Sequence, residues 1–564
     1  MITRIFKKNK IGKGDFVEPD EIFLDSKNLQ NFDRQQFEGR IEKPIPKKNI
    51  LLLGFLCLSL ALVFSARLVY LQITKGEAYL ARSENNTLNK AILFADRGII
   101  YDRKGVELAW NDQEGSVDGL SLRSYLEPGF SHVLGYVSYP ERDSSGRFWK
   151  SEFEGKDGLE KQYNDQIKGV NGSKVIEENA LGKIYSENII NAPTRGKDLK
   201  TTMDAGIQQE LYRIIKNTAE NYSFTGGTGI IMNITNGEIL TSTSFPEYSS
   251  KVLSLGEDSA TINTYIKDKR KFFLDRAISG LYTPGSIVKP FVAIGALAEG
   301  VIDQYKKILS TGSISIPNPY FPDQPTIFKD WRVNGWTDMG EAIAVSSDVY
   351  FYAVGGGYKD QKGLGIANIE KYTKLFGIGD KTGVDLPDEK VGIIPNPEWK
   401  AKNFKGDPWR IGNTYHTSIG QYSFQVTPLE ITRAIAAIAN NGTLVTPHFL
   451  IEDTERANKK TSIDLPKEYF DVIHDGMRQA VTYGTAVSLN VPYVDVAAKT
   501  GTAQLGLAKD RVNSPVVGFF PYEQPKYAFI VLMEAGPVVN SVNAAYVMRQ
   551  LLDWMSTNTP EYFK

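Results

Sequence analysis

Ser286 and Lys289 are the two residues whose types and spacing best fit catalysis by a nucleophile. They follow the helix-breaking pair Pro284-Gly285 and precede an apolar run at 291–297, so we expect both on the first turn of a helix. Residues three apart share a helix face, which lets the hydroxyl and the amine meet. Serine is a weak nucleophile that needs an adjacent base, and a desolvated lysine amine can serve as that base.

The first turn of this helix offers more than two side chains. Free backbone N–H groups and the positive partial charge of a helix N-terminus can stabilise a developing oxyanion. Pro290 lies near the limit at which a helix tolerates proline, so we expect a distorted first turn. The alternative is coincidence, because about one or two serine–lysine pairs with this spacing arise by chance in a chain of this length. The assignment therefore depends on partners elsewhere.

Ser346-Ser347-Asp348 is the second candidate and lies at a predicted break between two helices. The Ser346 hydroxyl and the Asp348 carboxylate could relay a proton and hold the ammonium group of Lys289. The alternative is a helix cap, which serine and aspartate commonly provide. The local sequence alone favours the cap.

Lys499-Thr500-Gly501-Thr502 is the third candidate and is predicted to lie on a β-strand. Gly501 gives a substrate close access to the backbone, Lys499 supplies a cation for a carboxylate, and Thr500 and Thr502 supply hydroxyls. A second K-T-G stands at 381–383 between turn-forming residues. We interpret that copy as a structural loop.

Composition limits the kinds of catalytic group and partner that this chain can use. The chain has 564 residues, room for two or more domains, and a formal net charge of -1, which gives no indication of a nucleic-acid partner. Its one cysteine, Cys57, allows neither a disulfide framework nor a thiolate zinc site. The four histidines form no metal-binding pattern, and each is interpreted as a structural or surface residue: His132, His416, His448 and His474. Catalysis is left to serine, lysine, carboxylates and backbone groups.

An apolar stretch near the N-terminus predicts a membrane helix at 49–72, preceded by a polar tail at 1–48. A buried core helix is the alternative, but the stretch has no polar face. A cleaved signal peptide would need a shorter leader and a small-x-small site. Four basic residues precede the span and predict a cytoplasmic tail, with everything after about residue 72 outside the membrane: Arg40, Lys43, Lys47 and Lys48.

The exported part is predicted to form two modules. The first, 73–195, contains a β-hairpin at 96–109, a mobile loop at 135–158 and a short helix that begins at Gly158. The second, 196–564, begins with a strand near Leu199 and a helix capped by Asp204.

The rest of the second module combines helices with a few strands. We predict a hairpin at 229–241, helices at 339–354, 364–376, 427–440 and 467–482, closing strands at Val494–Ala498 and Tyr527–Met533, and a helix from Ala544 to Trp554. Strands at both ends of a helical middle predict an α/β (α+β) fold with one antiparallel sheet covered by helices.

The order S-x-x-K, S-x-D and then a strand K-T-G resembles the penicillin-recognising serine transferases. Other stretches narrow the resemblance to class B penicillin-binding proteins, which are monofunctional peptidoglycan transpeptidases. These stretches are the R-G-x-I-x-D-R hairpin at 97–109, G-L-E-K-x-Y at 158–163, T-x-D at 202–204, Gly420-Gln421, 426–428 and A-N-N-G at 439–442. The resemblance spans about residues 50–564 and implies an N-terminal pedestal (dimerisation) domain followed by a transpeptidase domain.

Asp348 replaces the asparagine that is usual in the second motif. Aspartate here is similar to the elongation-specific branch, penicillin-binding protein 2, whereas the division-specific branch more often carries asparagine. Its charge would also favour the protonated form of Lys289 and oppose that residue's role as a base. Some relatives in the elongation branch carry a zinc site that includes a cysteine. Because Cys57 lies in the membrane span, we expect no metal here, and no cofactor.

The resemblance implies a reaction and a set of roles. Ser286 attacks the carbonyl between the last two D-alanines of a stem peptide, Lys289 takes its proton, and Ser346 and Asp348 help pass that proton to the leaving D-alanine. An amine of a neighbouring stem peptide then takes the acyl group, which forms the cross-link. β-Lactams mimic the D-Ala-D-Ala end and should acylate Ser286.

The third motif and the membrane segment carry further implied roles. Lys499 and Thr500 hold the terminal carboxylate, Thr502 adds a hydroxyl, and the backbone N–H groups of Ser286 and Thr502 form an oxyanion hole. The membrane helix and the first module are expected to engage a membrane glycan polymerase of the SEDS type. The expected location is the bacterial inner membrane, crossed once.

Alternatives from other classes stay open at this point. A division-specific transpeptidase would share every motif. A β-lactam sensor would keep the serine but would need a signalling module. A hydrolase, either a carboxypeptidase or a β-lactamase, would release its acyl group to water, and an inactive scaffold would lack a motif side chain.

Overall fold

A single long apolar helix begins the part of the chain that can be described. The computed structural model describes residues 46–80, 88–117, 119–144, 148–178, 184–318, 321, 323–506 and 508–564. Helix α1, Lys47–Val69, continues into a π-helical turn at Tyr70–Thr74. Within those residues this 28-residue helix alone is long and apolar enough to cross a membrane, and it contains the predicted span at 49–72. The predicted tail at 1–48 lies almost wholly outside the described residues.

Short strands and helices build the region that follows. Its strands are β1 Leu88–Leu93, β2 Ile100–Tyr101, β3 Glu107–Val117, β4 Leu120–Tyr125, β5 Val137–Ser138, β6 Glu141–Arg142, β7 Phe148–Lys150, β8 Glu154–Gly155, β9 Gly172–Glu178 and β10 Ile184–Asn191. Its helices are α2 Ser131–Leu134, α3 Gly158–Gln162 and α4 Asn164–Ile167. Strands β2 and β3 form the predicted hairpin. The predicted loop at 135–158 is wrong in part, because β5 pairs with β8 and β6 with β7.

A buried ionic cluster holds this region together. The carboxylate of Glu160 on α3 pairs with the guanidinium groups of Arg97 and Arg123, and all three side chains are at most 1% exposed. Burial alone would raise the pKa of Glu160, but Arg123 and Arg97 outweigh that effect and hold the pKa below its ordinary value. Two of the motif stretches therefore meet in this cluster, since Arg97 begins one and Glu160 lies in the other.

The strands of the second region contribute one large sheet and several small hairpins. They are β11 Leu199–Lys200, β12 Gly226–Asn233, β13 Ile239–Phe245, β14 Ile308–Ser310, β15 Ser313–Ile316, β16 Thr326–Lys329, β17 Gly335–Thr337, β18 Thr443–Leu444, β19 Thr461–Ser462, β20 Ala497–Thr500, β21 Ala503–Leu505, β22 Arg511–Phe520 and β23 Tyr527–Pro537. Strand β11 pairs in parallel with β2 of the first region, so the two regions share a sheet.

Helices cover the large sheet of the second region and form the middle of that region. They are α5 Ala205–Asn221, α6 Ser250–Leu255, α7 Ser259–Lys267, α8 Lys289–Ala298, α9 Met339–Ala344, α10 Asp348–Gly356, α11 Ile366–Leu375, α12 Pro397–Asn403, α13 Ile411–Ser418, α14 Pro428–Ala439, α15 Thr454–Asn458, α16 Lys467–Thr482 and α17 Ala544–Asn558. Turns of 3-10 helix lie at Gly285–Val288, Val487–Leu489 and Pro560–Phe563. The predicted cap of α5 is confirmed, because the Asp204 carboxylate accepts from the N–H groups of Gly206 and Ile207.

The large sheet has the strand order β13-β12-β23-β22-β20, with β21 also paired to β22. Every neighbouring pair runs antiparallel. Successive residues alternate between its faces: Ile230 and Ile530 join the core that contains α14, whereas Ile231 and Val531 join the core that contains α5 and α17. The expected fold, an antiparallel sheet covered by helices, is confirmed.

Strand β22 is the element of the large sheet's centre that the sequence analysis missed. The closing strand predicted at Tyr527–Met533 is observed within β23, whereas the one predicted at Val494–Ala498 begins three residues later, as β20; β22 lies between them. Pro515 argued against a strand at this place in the sequence, because a proline cannot donate a hydrogen bond within a central strand. Here Thr500 pairs with Val516 and Ala503 pairs with Asn513, which leaves Pro515 opposite the gap between β20 and β21.

The Glu160 cluster yields a stability prediction. Glu160→Gln leaves two buried guanidinium groups without a counter-charge, so the free energy of unfolding should fall by about 3–5 kcal/mol. Urea unfolding of the purified protein measures the change. Asp471→Asn removes an exposed ion pair with Lys467 and serves as the control, with almost no change expected. A loss for Glu160→Gln no larger than that of the control would contradict the prediction.

Candidate active site

The segment that carries Ser286 is a 3-10 turn, Gly285–Val288, followed directly by α8. Gly285 has a φ of +59°, which glycine adopts without strain, and Pro290 occupies the first turn of α8. The predicted distortion of the first turn is therefore confirmed. Ser286 is partly exposed, whereas Lys289 is completely buried.

The Lys289 amine lies at the centre of the second motif. Its Nζ donates to the Ser346 carbonyl oxygen at 2.8 Å and to Asp348 Oδ1 at 2.7 Å, and it lies 3.3 Å from Ser346 Oγ. These contacts bring together residues 57 and 59 positions apart in the chain. Both side chains of the S-x-D motif therefore contact Lys289.

The S-x-D motif forms the predicted break between helices α9 and α10. Ser346 there has a φ of +56°, a conformation that is uncommon outside glycine and that costs energy at a serine. The helix cap exists, but the middle serine provides it: Ser347 Oγ accepts from the N–H of Tyr350 at 3.3 Å. Ser346 and Asp348 are left free to face Lys289.

The third motif brings a second buried amine to the same hydroxyl. Lys499 on β20 is completely buried, and its Nζ donates to Ser346 Oγ at 2.7 Å and to the carbonyl oxygen of Thr500 at 2.9 Å. Burial lowers the pKa of Lys499 well below its usual range, the charge of Lys289 lowers it further, and Asp348 opposes both effects. The three distant motifs thus meet around the side chain of Ser346.

Two amines on one hydroxyl define what this arrangement can do. Burial lowers the pKa of Lys499, and Ser346 Oγ joins that amine to the amine of Lys289. Ser346 Oγ can accept a proton from one amine and donate to the other. The cluster can therefore accept a proton from a neighbouring group and pass it on.

The backbone beside Ser286 is packed against the K-T-G strand without room for side chains. A Cβ on Gly501 would lie 2.8 Å from the Pro284 carbonyl oxygen and 2.9 Å from Pro515 Cγ. A Cβ on Gly285 would lie 2.8 Å from the Thr502 carbonyl oxygen. These approaches require glycine and place the main chains at Ser286 and Thr502 side by side.

Two backbone N–H groups, those of Ser286 and Thr502, lie at this junction. Ser286 lies in the first turn of the 3-10 helix, where N–H groups have no acceptor within the helix. Within the described residues, neither Ser286 nor Thr502 donates its N–H in a backbone hydrogen bond outside regular helices and strands. Two such donors can bind one developing oxyanion.

A groove of about 1120 Å³ opens over these groups, lined by Ser286, Ser346, Asp348 and the segment Thr500-Gly501-Thr502. The sequence analysis missed several of its walls. Thr485 receives a hydrogen bond from Thr500 Oγ1 at 2.7 Å, and Gln421 Nε2 donates to the Thr502 carbonyl oxygen at 3.3 Å. Phe328, Trp331, Tyr352 and Tyr422 also line it. Gln421 belongs to the Gly420-Gln421 stretch that supports the resemblance, but no motif marks Thr485 or the four aromatic residues, because the tertiary fold alone brings them to the groove.

His416 lies in the wall of the groove. The interpretation of this residue as structural or surface did not place it there. Burial and the nearby charge of Lys509 lower the pKa of His416, and Asp348 opposes them. His132, His448 and His474 each contact a backbone carbonyl oxygen, as structural histidines do.

The second K-T-G copy lies outside the site, as the sequence analysis expected. Residues 381–383 form a loop in which the N–H and hydroxyl of Thr382 donate to Glu389 Oε1 at 2.7 and 2.5 Å. These bonds fold the loop on itself.

Comparison with known families agrees with this geometry. Residues 227–553 match the sequence model of the penicillin binding protein transpeptidase domain, more than half of the chain. This chain belongs to that family. Residues 116–201 match the penicillin-binding protein dimerisation domain. The expected class B penicillin-binding protein, most like the elongation-specific branch, is confirmed.

Relatives of known identity extend over nearly the whole chain. The peptidoglycan D,D-transpeptidase MrdA of Acinetobacter baumannii is 28% identical, covering 92% of this chain and 88% of that protein. MrdA of Escherichia coli K12 is 26% identical, covering 89% and 92%. Penicillin-binding protein 2 of Pseudomonas aeruginosa, solved with WCK 5153, is 27% identical with a TM-score of 0.69, covering 84% of this chain and 98% of that one.

The close packing at Gly501 yields a prediction for the site. Gly501→Ala should push the K-T-G strand away from the Ser286 turn, and a displacement of about 1 Å can cost on the order of 100-fold in rate. The rate of covalent labelling by a fluorescent penicillin measures the effect. Gly340→Ala is the matched control, because a Cβ there meets nothing closer than 3.6 Å. Equal rates for the two variants would contradict the prediction.

Proposed function

We propose that this protein cross-links peptidoglycan stem peptides by D,D-transpeptidation through an acyl-enzyme on Ser286. One observation carries the assignment: the S-x-x-K, S-x-D and K-T-G segments meet around the Ser346 hydroxyl beside a partly exposed serine. The family of the chain and its MrdA relatives agree with it.

The acylation step follows from the buried cluster. Lys289 can take the proton of Ser286 only after losing one of its own, and Ser346 Oγ links it to Lys499, whose pKa burial depresses. A proton moves from Lys289 through Ser346 to Lys499, and Ser286 gives its proton to Lys289 as Oγ bonds to the carbonyl carbon. Asp348 holds Lys289 in place throughout.

The substrate is held by the K-T-G strand. Its scissile carbonyl oxygen enters between the backbone N–H groups of Ser286 and Thr502. The terminal D-alanine carboxylate lies against Lys499 and Thr500, with Thr502 adding a hydroxyl and Gly501 leaving room for the peptide. A carboxylate beside Lys499 favours that residue's charged form, so substrate binding supports the proton transfer to it.

The second half of the reaction reverses the proton path. As the bond to the terminal D-alanine breaks, Ser346 returns a proton from the cluster to the leaving amine. The amine of a neighbouring stem peptide then attacks the ester carbon and gives up a proton to Lys289. Lys289 passes that proton to Ser286 Oγ as the bond between Oγ and the carbonyl carbon breaks, which restores the serine hydroxyl and leaves the new amide. β-Lactams present the same carbonyl and carboxylate and acylate Ser286.

We place this activity in cell elongation and shape maintenance. Asp348 in the second motif supports that branch, as do the MrdA relatives. A penicillin-binding protein 2 of Helicobacter pylori, 26% identical with a TM-score of 0.69, was solved in complex with MreC.

The domain bounds and orientation form part of the proposal. We assign 1–48 to a cytoplasmic tail, 49–72 to the membrane helix, 73–195 to the pedestal and 196–564 to the transpeptidase domain. The matched ranges 116–201 and 227–553 and the apolar helix support these bounds. Basic residues before the helix support a catalytic region on the outer face of the inner membrane. The partner is a SEDS-type glycan polymerase in the same membrane.

Labelling by a fluorescent penicillin tests the reaction. The wild-type protein should keep a covalent label, because its acyl-enzyme reacts with an acceptor amine rather than with water. Ser286→Ala should take up no label. Ser488→Ala, at an exposed serine, is the control and should label like the wild type. Label retained by Ser286→Ala would place the nucleophile elsewhere, and rapid loss of label from the wild type would indicate a β-lactamase.

A helix exchange tests location and partner together. Residues 50–69 are replaced by an unrelated apolar span, which leaves Lys47 and Lys48 in place. When protease is added to the outside of spheroplasts, it should still digest the catalytic region of this variant and leave the cytoplasmic tail intact. The amount of SEDS-type polymerase that co-purifies with the variant should fall. Protection of the catalytic region would refute the orientation, and unchanged co-purification would refute a partner contact through this helix.

A further inference from the structure

The carboxylate of Asp330 accepts hydrogen bonds from an unusually large set of donors. Asp330 directly follows β16 and is 16 residues before Ser346 in the chain. Its two oxygens accept, at 2.8–3.1 Å, from Ser310 Oγ, Trp331 N, Asn334 Nδ2, Ser347 Oγ, Asp348 N and Val349 N. Half of these donors belong to the S-x-D motif or the residue after it.

This carboxylate caps the helix that carries Asp348. Helix α10 begins at Asp348, and the N–H groups of Asp348 and Val349 donate to Asp330 at 3.0 and 3.1 Å. A negative charge at a helix N-terminus is stabilised by these N–H groups and by the helix dipole. Burial would raise the pKa of Asp330, but the N–H groups of Asp348 and Val349, together with the hydroxyls of Ser347 and Ser310, outweigh it and hold the pKa below its ordinary value.

The neighbouring residue holds the other side of the same turn. The indole Nε1 of Trp331 donates to the Val345 carbonyl oxygen at 3.1 Å. Val345 precedes Ser346 and Ser347 follows it. Asp330 and Trp331 therefore contact the chain immediately before and immediately after the one residue of the motif with a positive φ.

We propose that Asp330 and Trp331 are positioning residues that hold Ser346 and Asp348 in the geometry required for proton transfer. A serine with φ of +56° persists only where its surroundings enforce it. Both the carbonyl and the hydroxyl of Ser346 contact Lys289, so relaxation of this turn would move both contacts. The inference rests on the proposed function, since it assigns the turn to that reaction.

The alternative is that Asp330 only stabilises the fold. A stability defect lowers the fraction of protein that can be labelled, but it leaves the rate constant of the folded molecules unchanged. A displaced turn lowers the rate constant of acylation in molecules that are folded and bind penicillin normally. The two are separated by measuring the final extent of labelling, the affinity of the complex before acylation, and the acylation rate constant.

Asp330→Asn is the decisive variant. It keeps the shape of the side chain but removes the charge and turns one acceptor into a donor that faces N–H groups. We expect the acylation rate constant of the full-length protein with a fluorescent penicillin to fall on the order of 100-fold. The affinity before acylation and the final extent of labelling should stay near wild type. A wild-type rate constant for Asp330→Asn would overturn the proposal.

Two gentler variants keep the test decisive if Asp330→Asn fails to fold. Ser347→Ala removes one donor to Asp330, and Trp331→Phe keeps the ring but loses the bond to Val345; each should slow acylation about fivefold. Wild-type rates in both would overturn the proposal. If Asp330→Asn folds, the double variant with Ser347→Ala should have nearly the same acylation rate constant as Asp330→Asn alone, because both changes act on one contact.

Asp258→Asn is the matched control. Asp258 also caps a helix, α7, by accepting from the N–H of Thr261 at 3.0 Å. It lies away from the groove, so its loss should affect stability alone and leave the acylation rate constant unchanged. The failure of this inference is distinct from failure of the proposed function: covalent label on Ser286→Ala would refute the reaction, whereas a wild-type rate in Asp330→Asn would refute the positioning role only.

Discussion

The Ser346 hydroxyl between two buried amines is the interaction on which the site depends. Lys289 comes from the helix that follows the nucleophile and Lys499 from the central sheet, so this hydroxyl ties together two layers of the domain. Burying positive charge at this point is unfavourable, and the Asp348 carboxylate offsets it through its ion pair with Lys289 at 2.7 Å. This unfavourable burial occurs where the proposed proton transfer requires an amine that can lose its proton.

The positioning of this cluster draws on distant parts of the chain. The Asp330–Trp331 segment holds the strained turn, and the K-T-G strand approaches the serine turn through glycine backbones. The first region joins the same body, because β2 pairs with β11 and apolar residues such as Leu108 and Ile230 share one core. Displacements in the first region can therefore reach the transpeptidase domain through a shared sheet rather than through a flexible linker.

Sequence patterns predicted the parts that local chemistry determines. The Ser286 turn, the Asp204 cap and the hairpin at 229–241 have local signals, and all three were found. Strand β22 was not predicted, because Pro515 is tolerated in it only where it lies opposite the gap between two other strands, and the sequence does not show that gap. Asp330 and His416 escaped for a related reason: nothing beside them in the sequence indicates that the fold brings them to the S-x-D turn and the groove.

The glycines at the base of the groove limit how this enzyme can escape an inhibitor. Gly285, Gly420 and Gly501 each face main-chain atoms so closely that any side chain would collide, at 2.8 Å or less. In the proposed reaction, the surface that binds the reacting carbonyl is made of backbone, so side-chain substitutions offer little means of altering it. Heritable drug resistance is instead expected at wall positions such as Tyr422, whose side chain lines the groove outside the three motifs.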